Sequence, residues 1–469
     1  MDQFDLVIIG AGPAGEKAAA KASYFGKSVA LVERNFAPGG AGVHTGTLPS
    51  KTLKETALFL SGKNDKGKFG VDRDLRRELS IEDFYFRKNS VTKSEVNAIQ
   101  NNITRHRIKF FNGIAKFLTP NSVRIKNESG NEEDISGNYF LIATGSFPHH
   151  PPEITFDCKR VHDSDSILSL TRFPKSITVL GAGVIGCEYA TIFSTMGIQV
   201  NLIDTKNQIL PFLDGEISDS LVQIMRKDGV DVVFDCGVSS VSNPSNDDED
   251  LEITLTNGRV IKSDMFLFAA GRSGRSKELS LQEIGVKVGK RDIIEVNDHY
   301  QTSVPNIYAV GDVVGFPALA STSMDQGRVA VTHMFATHGF GKIAGLFPYG
   351  IYTVPEVSMV GLSEEEAKKQ GNDICTGKAY YKDMARGKIL GCEEGFLKLV
   401  FETKQMSILG VHIIGINATE IIHYGLSLVE NHKDLNYIIS VAFNYPTLHD
   451  LYKYAAYDGL GNLSGHKVK

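Results

Sequence analysis

The sequence predicts an α/β chain built from two Rossmann-like dinucleotide-binding domains followed by a C-terminal α+β module. Three observations predict it. A glycine-rich turn occurs twice, and each copy lies between a strand-like apolar run and a helix-like stretch. Beyond about residue 349 the texture changes to alternating strands and helices.

In the first copy, the apolar run Phe4–Ile9 enters Gly10-Ala11-Gly12-Pro13-Ala14-Gly15, a helical stretch reaches Gly26, and Ser28–Glu33 ends in a carboxylate. In the second, Ser176–Leu180 enters Gly181-Ala182-Gly183-Val184-Ile185-Gly186, a helical stretch reaches Gly197, and Gln199–Asp204 again ends in a carboxylate. Gly10 and Gly181 permit the tight turn, Gly12 and Gly183 let the backbone approach a pyrophosphate, and Gly15 and Gly186 let helix and strand pack closely. The helix start then offers free N–H groups and a positive dipole end to phosphate. Glu33 and Asp204 are placed to accept hydrogen bonds from adenosine ribose hydroxyls. One such fingerprint is weak; two, each with flanking strands and a carboxylate about 20 residues on, are specific.

Three further signals divide the remainder. The apolar strand Tyr139–Ile142 ends in Ala143-Thr144-Gly145, Met265–Phe268 ends in Ala269-Ala270-Gly271-Arg272, and Ile307–Val310 ends in Gly311-Asp312. Strands at Phe396–Phe401 and Ile408–Ile414, with helices at Ser363–Lys369 and Thr419–Glu430, form a mixed module of the kind that mediates dimer contacts.

A chain of 469 residues exceeds what one core supports. Its 42% apolar and 22% charged content is that of a globular protein. A net charge of -5 gives no reason to expect nucleic acid or an anionic membrane as partner. No apolar run approaches the roughly 20 residues that span a bilayer. Leu6–Ile9 follows Asp5 and enters a glycine turn, so it reads as a buried strand and not as a signal peptide. Cys158, Cys187, Cys236, Cys375 and Cys392 are scattered without metal-ligand spacing. They are expected to be small buried or half-buried side chains in a reducing cytoplasm, with no metal. Lys63, Lys66 and Lys68 are expected in a solvated loop, and Asn246–Asp250 in a solvated hairpin turn.

The run Gly39-Gly40-Ala41-Gly42-Val43-His44-Thr45-Gly46-Thr47-Leu48-Pro49-Ser50-Lys51 resembles the redox-disulfide segment of the pyridine nucleotide–disulfide oxidoreductases. With the two glycine turns and Gly311-Asp312, the resemblance covers essentially the whole chain. It implies FAD at the first turn, NAD(H) or NADP(H) at the second, and a homodimer formed through the C-terminal module. The implied domains are 1–147 with 273–345 for FAD, 148–272 for the nicotinamide nucleotide, and 346–469 for dimerisation. Gly10, Gly12, Gly15 and Glu33 match the FAD site, and Asp312 matches the carboxylate that binds the ribityl chain. Arg34, Gly40, Thr47, Thr144, Gly145, Gly181, Gly183, Gly186, Asp204, Gly271, Gly311 and Ala320 complete the expected cofactor contacts. Within the family the similarity is greatest to the soluble pyridine nucleotide transhydrogenases, on His44–Lys51, Val184–Ala190, Leu319-Ala320-Ser321, Gly350–Glu356 and Phe443–Thr447.

The chain departs from the disulfide reductases at two places. Their two redox cysteines fall at Gly42 and Thr47, and neither residue can form the thiolate that attacks a disulfide. The transhydrogenases keep the first cysteine, so Gly42 departs from them as well. The His and Glu that serve thiol chemistry fall at Tyr445 and Asp450. A tyrosine ordinarily titrates near 10 and a histidine near 6.5, so Tyr445 is a poor proton shuttle at neutral pH. Two readings of Tyr445 stay open, interface packing with one hydrogen bond, or substrate contact.

The hydride machinery is expected to be intact. The resemblance implies Lys51 beside flavin N5 and Glu188 as its ion-pair partner near the nicotinamide, both in catalytic roles. Asp204 favours an unphosphorylated ribose, while Lys206 would partly offset its repulsion of a 2′-phosphate. The leading expectation is a cytoplasmic, FAD-dependent transhydrogenase passing hydride between NAD(P)H and NAD(P)+. The alternatives are an NAD(P)H dehydrogenase of diaphorase or quinone-reductase type, a dihydrolipoamide-dehydrogenase-like protein without disulfide activity, and a flavin-bearing scaffold.

Overall fold

Strand alternation builds the first sheet. Along Asp2–Ile9, Val7 and Ile9 enter the apolar cluster with Phe117 and Phe140, while Leu6 and Ile8 enter another with Ala18 and Leu141. A strand with both faces covered reads as a continuous apolar run, which the sequence shows. The computed structural model describes residues 1–466 apart from 66, 69, 71–73, 77, 78, 245, 247, 248, 340, 344 and 393. It separates into two units. One comprises Met1–Thr52, Tyr85–Pro151 and Gly271–Ala344; the other comprises Leu53–Phe84, Pro152–Ala270 and Gly345–Lys469.

In the first unit, Lys109–Asn112, Val29–Glu33, Asp2–Ile9, Glu132–Ile142 and Ile307–Ala309 lie parallel in that order. Ile9 pairs with Val32 on one side and Ile142 on the other, so Gly10 and Ala143 leave the sheet side by side. The antiparallel strands Ser122–Lys126 and Ile114–Thr119 extend this sheet from Glu132–Ile142. A short ladder joins Ser146–Pro148 to Arg272–Gly274.

The second unit repeats the scheme. Val230–Val233, Gln199–Ile203, Ser176–Leu180, Met265–Phe268 and Val161–Asp163 form a parallel sheet in that order. Val238–Ser242, Leu251–Leu255 and Val260–Ser263 form a three-stranded antiparallel sheet. The same unit holds the C-terminal sheet Tyr349–Ile351, Val357–Gly361, Ile408–Ile414, Phe396–Glu402, Ile374–Tyr380, covered by the helices Ala418–Glu430 and Asp450–Ser464. Contact packing thus groups the second and third expected domains together.

A buried ion cluster ties the start of the helix Gly215–Lys227 to the C-terminal sheet of this unit. Asp214, fully buried, caps the helix Gly215–Lys227 by accepting the Glu216 N–H at 3.2 Å and accepts the Lys398 ammonium at 3.0 Å. Glu364 reaches the same ammonium at 2.7 Å. Burial opposes the Glu364 charge, but Lys368 and Lys398 outweigh it and lower its pKa to about 2.

Lys68 is exposed as expected, while the expectations for Lys63 and Cys158 need correction. Lys63 is no freely solvated side chain, since it pairs with a half-buried Asp228; Lys68 donates to the Leu390 carbonyl at 3.3 Å, and Lys66 lies outside the described residues. Cys158 is exposed and carries a φ of +55°, unlike buried Cys187 and Cys236 and half-buried Cys375 and Cys392. Its position in an irregular bend between Ile154 and Val161 gives no core for the thiol to enter. Asn246 bonds Glu249 in the connection between Val238–Ser242 and Leu251–Leu255, while Asp247 and Asp248 lie outside the described residues. Among the described residues no helix is long and apolar enough to cross a membrane, and no group of three or more His, Cys, Asp or Glu side chains is placed to hold a metal ion.

Candidate functional site

The first glycine turn is shaped by what cannot be added to it. Gly10 has φ +108°, and a Cβ there would lie 2.3 Å from the Ala143 carbonyl oxygen. A Cβ on Gly15 would lie 1.9 Å from the Gly10 carbonyl oxygen. Both positions therefore exclude any side chain. Gly12 precedes the helix Pro13–Tyr24, whose first turn has no side-chain cap, so its N–H groups are available to an anion. Glu33, buried at the end of Val29–Glu33, accepts the Ala11 N–H at 2.7 Å and the Asn35 N–H at 2.9 Å. The carboxylate thereby fixes the turn itself. A close-approach backbone, an uncapped helix start and an acidic strand end fit a dinucleotide such as FAD.

The second turn copies the first closely. Gly181 has φ +107°, with the backbone of Ala269 at 2.8 Å from an added Cβ, and a Cβ on Gly186 would lie 1.8 Å from the Gly181 carbonyl oxygen. Asp204 accepts the Ala182 N–H at 2.6 Å and the Lys206 N–H at 2.9 Å. The helix Val184–Thr195 begins at Gly183, again without a side-chain cap. The difference lies in what covers the middle glycine. In the first unit Gly39 donates to the Ala11 carbonyl at 2.8 Å, and a Cβ on Gly40 would lie 2.7 Å from the Gly12 Cα. A Cβ on Gly183 would meet nothing within 4 Å.

The segment resembling a redox disulfide forms the short helix Gly40–His44 and the start of the helix Thr47–Ser61. Gly40 has φ +54°, and a Cβ on Gly42 would meet the Pro13 ring at 2.8 Å. Thr47 is exposed at the helix start, and Lys51, one turn later, is half-buried with its ammonium 3.2 Å from the Ser50 hydroxyl. His44 bonds the Pro38 carbonyl through Nε2 at 3.0 Å. Cys187 offers no substitute thiol, because burial, then Asp204 and Glu188, push its pKa up.

The remaining first-unit residues gather at the strand ends. Asp312 accepts the Ser146 hydroxyl at 2.8 Å, and Arg272 donates to that hydroxyl at 2.8 Å. Gly311, at φ +79°, donates its N–H to buried Gln326 at 2.7 Å. Thr144 bonds the Arg275 carbonyl at 2.6 Å, and Gly145, at φ +70°, accepts the Arg275 N–H at 2.9 Å. Gly271 accepts the His149 N–H at 3.0 Å. Ala320 opens the helix Ala320–Phe335 with no side-chain cap. Arg34 points to the surface, 3.2 Å from Glu278. Ser146 and Gln326 were not singled out in the sequence; single polar residues 180 positions apart leave no periodic signal.

In the second unit Glu188 is buried, and its Oε1 accepts the Tyr352 N–H at 3.0 Å. Tyr445 is 79% exposed on this chain, and Asp450 begins the last long helix. His449, beside Asp450, is half-buried, and that burial lowers its pKa.

Two acid-terminated glycine turns on separate parallel sheets define a protein with two dinucleotide sites. Residues 4–327 match the family described as pyridine nucleotide-disulphide oxidoreductase, and residues 347–456 match that family's dimerisation domain. The chain belongs to this family, whose enzymes bind FAD and use NAD(P)H. It is 40% identical over 464 residues to a soluble pyridine nucleotide transhydrogenase of Mycobacterium tuberculosis, covering 99% of this chain and 98% of that one. A soluble pyridine nucleotide transhydrogenase of Pseudomonas aeruginosa is 40% identical over 463 residues, covering 98% and 99%. An HOCl-induced flavoprotein disulfide reductase from Escherichia coli superimposes with a TM-score of 0.87 at 26% identity, covering 97% of this chain and 99% of that one. LpdA from Mycobacterium tuberculosis shares the fold, with a TM-score of 0.88 at 22% identity over 97% and 99%.

Proposed function

We propose that this chain is an FAD-dependent pyridine nucleotide transhydrogenase, passing hydride from one nicotinamide nucleotide to the oxidised form of another. The observation that carries this reading is the 40% identity, end to end, with enzymes of that name. Gly42 and Thr47 support it, since without a thiol pair electrons cannot continue from flavin to a disulfide.

Bound FAD supplies a two-electron relay at its isoalloxazine ring. The chain's own residues do the rest. Gly10, Gly12, Gly15 and the helix start at Pro13 would hold the pyrophosphate, Glu33 the adenosine ribose, and Asp312 the ribityl chain, with Arg34, Gly40, Thr47, Thr144, Gly145, Gly311 and Ala320 around them. Lys51 would bring positive charge to the flavin. Gly181, Gly183, Gly186 and Gly271 would admit the nicotinamide nucleotide, Asp204 its ribose, and Glu188 would orient the nicotinamide end. We assign 1–147 with 273–345 to FAD, 148–272 to the nicotinamide nucleotide and 346–469 to a homodimer contact, in a cytoplasmic enzyme.

One nicotinamide site used in alternation gives ping-pong kinetics. Purified protein supplied with NADPH and thio-NAD+ is expected to show parallel double-reciprocal plots. Absence of turnover with thio-NAD+, while quinone or dye acceptors are reduced, would overturn the reading in favour of a diaphorase-type dehydrogenase. Gly42 and Asp204 favour that second reading, the first by opening space for an acceptor at the flavin and the second by favouring NADH.

A further inference from the structure

The segment Tyr349–Glu356 contributes no side chain to the site described above, yet it touches Glu188 through its backbone. The Tyr352 N–H donates to Glu188 Oε1 at 3.0 Å, and two residues on the Val354 N–H donates to the Thr191 hydroxyl at 3.2 Å. Glu188 and Thr191 stand three residues apart on the helix Val184–Thr195, on one face of it. One oxygen of the carboxylate is therefore tied to a peptide N–H from a distant part of the chain.

What holds that peptide is a buried ion pair. Glu356 ends the segment and is 7% exposed; Lys54, on the helix Thr47–Ser61, is 4% exposed. Their charged atoms lie 2.5 Å apart. The other Glu356 oxygen accepts the Thr419 N–H at 3.1 Å and the Thr419 hydroxyl at 2.8 Å, at the start of the helix Ala418–Glu430. That helix has no local side-chain cap, so Glu356 caps it from outside. The Lys54 ammonium also lies 5.9 Å from the centre of the Tyr352 ring. A buried carboxylate with three partners is immobile, and each partner removes one way for it to swing.

We propose that Lys54 is a positioning residue for hydride transfer: through Glu356 it fixes the Tyr349–Glu356 segment, whose Tyr352 N–H orients the Glu188 carboxylate. The inference rests on the reading of Glu188 as the group that orients the nicotinamide. Lys54 touches neither nucleotide in this account, and its effect passes entirely through Glu188. Loss of the ammonium leaves Glu356 buried without its counter-charge, and the segment must move to rehydrate it.

The test is a cycle of three variants of the FAD-loaded full chain, Lys54→Met, Glu188→Gln and both together, followed by stopped-flow flavin reduction with NADH. Lys54→Met is expected to slow reduction about tenfold with the NADH dissociation constant changed less than twofold, and Lys54→Arg to restore at least half the rate. The double variant is expected to be no slower than Glu188→Gln alone. Independently of activity, hydrogen exchange over residues 349–356 is expected to rise in Lys54→Met. Should Lys54→Met fail to retain flavin, Lys54→Gln, which keeps a donor toward Glu356, takes its place in the same cycle. Multiplicative losses in the double variant, or unchanged exchange over 349–356, would overturn the proposal. A Glu188→Gln variant with unchanged flavin reduction would instead sink the underlying reading of Glu188.

Discussion

The two glycine turns differ in what covers the middle glycine, and that difference matches the proposed roles of a resident FAD at the first and an exchanging nicotinamide nucleotide at the second. Both pair a glycine near φ +108° with an acidic strand end that binds the turn's own backbone. In the first, Gly39 and Gly40 press on Ala11 and Gly12; in the second, the space beyond Gly183 is open to 4 Å. A covered turn retains what it binds, because the cover must open before release. An open turn lets a nucleotide enter and leave at each cycle, as the proposed alternation needs.

Four experiments break or sharpen this comparison. The largest effect is expected from Gly10→Ala, which forces a side chain into φ +108° and to 2.3 Å from a carbonyl oxygen. A loss of about 4 kcal/mol or more is expected, read as failure to purify with bound flavin. Next comes Gly183→Ala, where the added methyl meets no protein atom. The melting temperature should stay within about 2 °C while the KM for NADH rises about tenfold; an unchanged KM would mean that the open turn does not hold the nucleotide. Third, Glu33→Gln and Asp204→Asn each leave one backbone N–H of a turn without its carboxylate. The buried first site should lose about 2 kcal/mol and the half-buried second about 1 kcal/mol in chemical denaturation, with Asp204→Asn also narrowing any preference for NADH over NADPH. Equal losses would erase the distinction between covered and open.

The smallest effect asks whether openness at the second turn reflects a loosely held unit. Glu364, lowered from 4.5 to about 2, adds stability that is complete above pH 4.5 and is lost as pH falls toward 2. Hydrogen exchange in the second unit should rise over that window and do so less in Glu364→Gln. If exchange is already high at neutral pH, the openness belongs to the whole unit and not to Gly183.

The turns were legible because a pyrophosphate-binding bend demands glycine at fixed spacing, and Gly10, Gly12 and Gly15 recur as Gly181, Gly183 and Gly186. The helix expected at Ser363–Lys369 was legible too, and the structure shows it starting in a capping box between Ser363 and Glu366. Lys54 and Glu356 were not legible. They lie 302 positions apart, each is one charged residue among many, and only the folded chain brings them together. Cys158 misled for the opposite reason: cysteine is usually buried, but a bend with φ +55° turned it outward.

Gly42 and Thr47 carry one more consequence. A sulfur pair beside a flavin is also a point of chemical injury, since peroxide drives thiolates to sulfinic and sulfonic acids and electrophiles alkylate them. Neither residue here can be oxidised or alkylated in that way. Hydride exchange at this flavin should outlast oxidant and electrophile doses that poison enzymes whose turnover runs through cysteine.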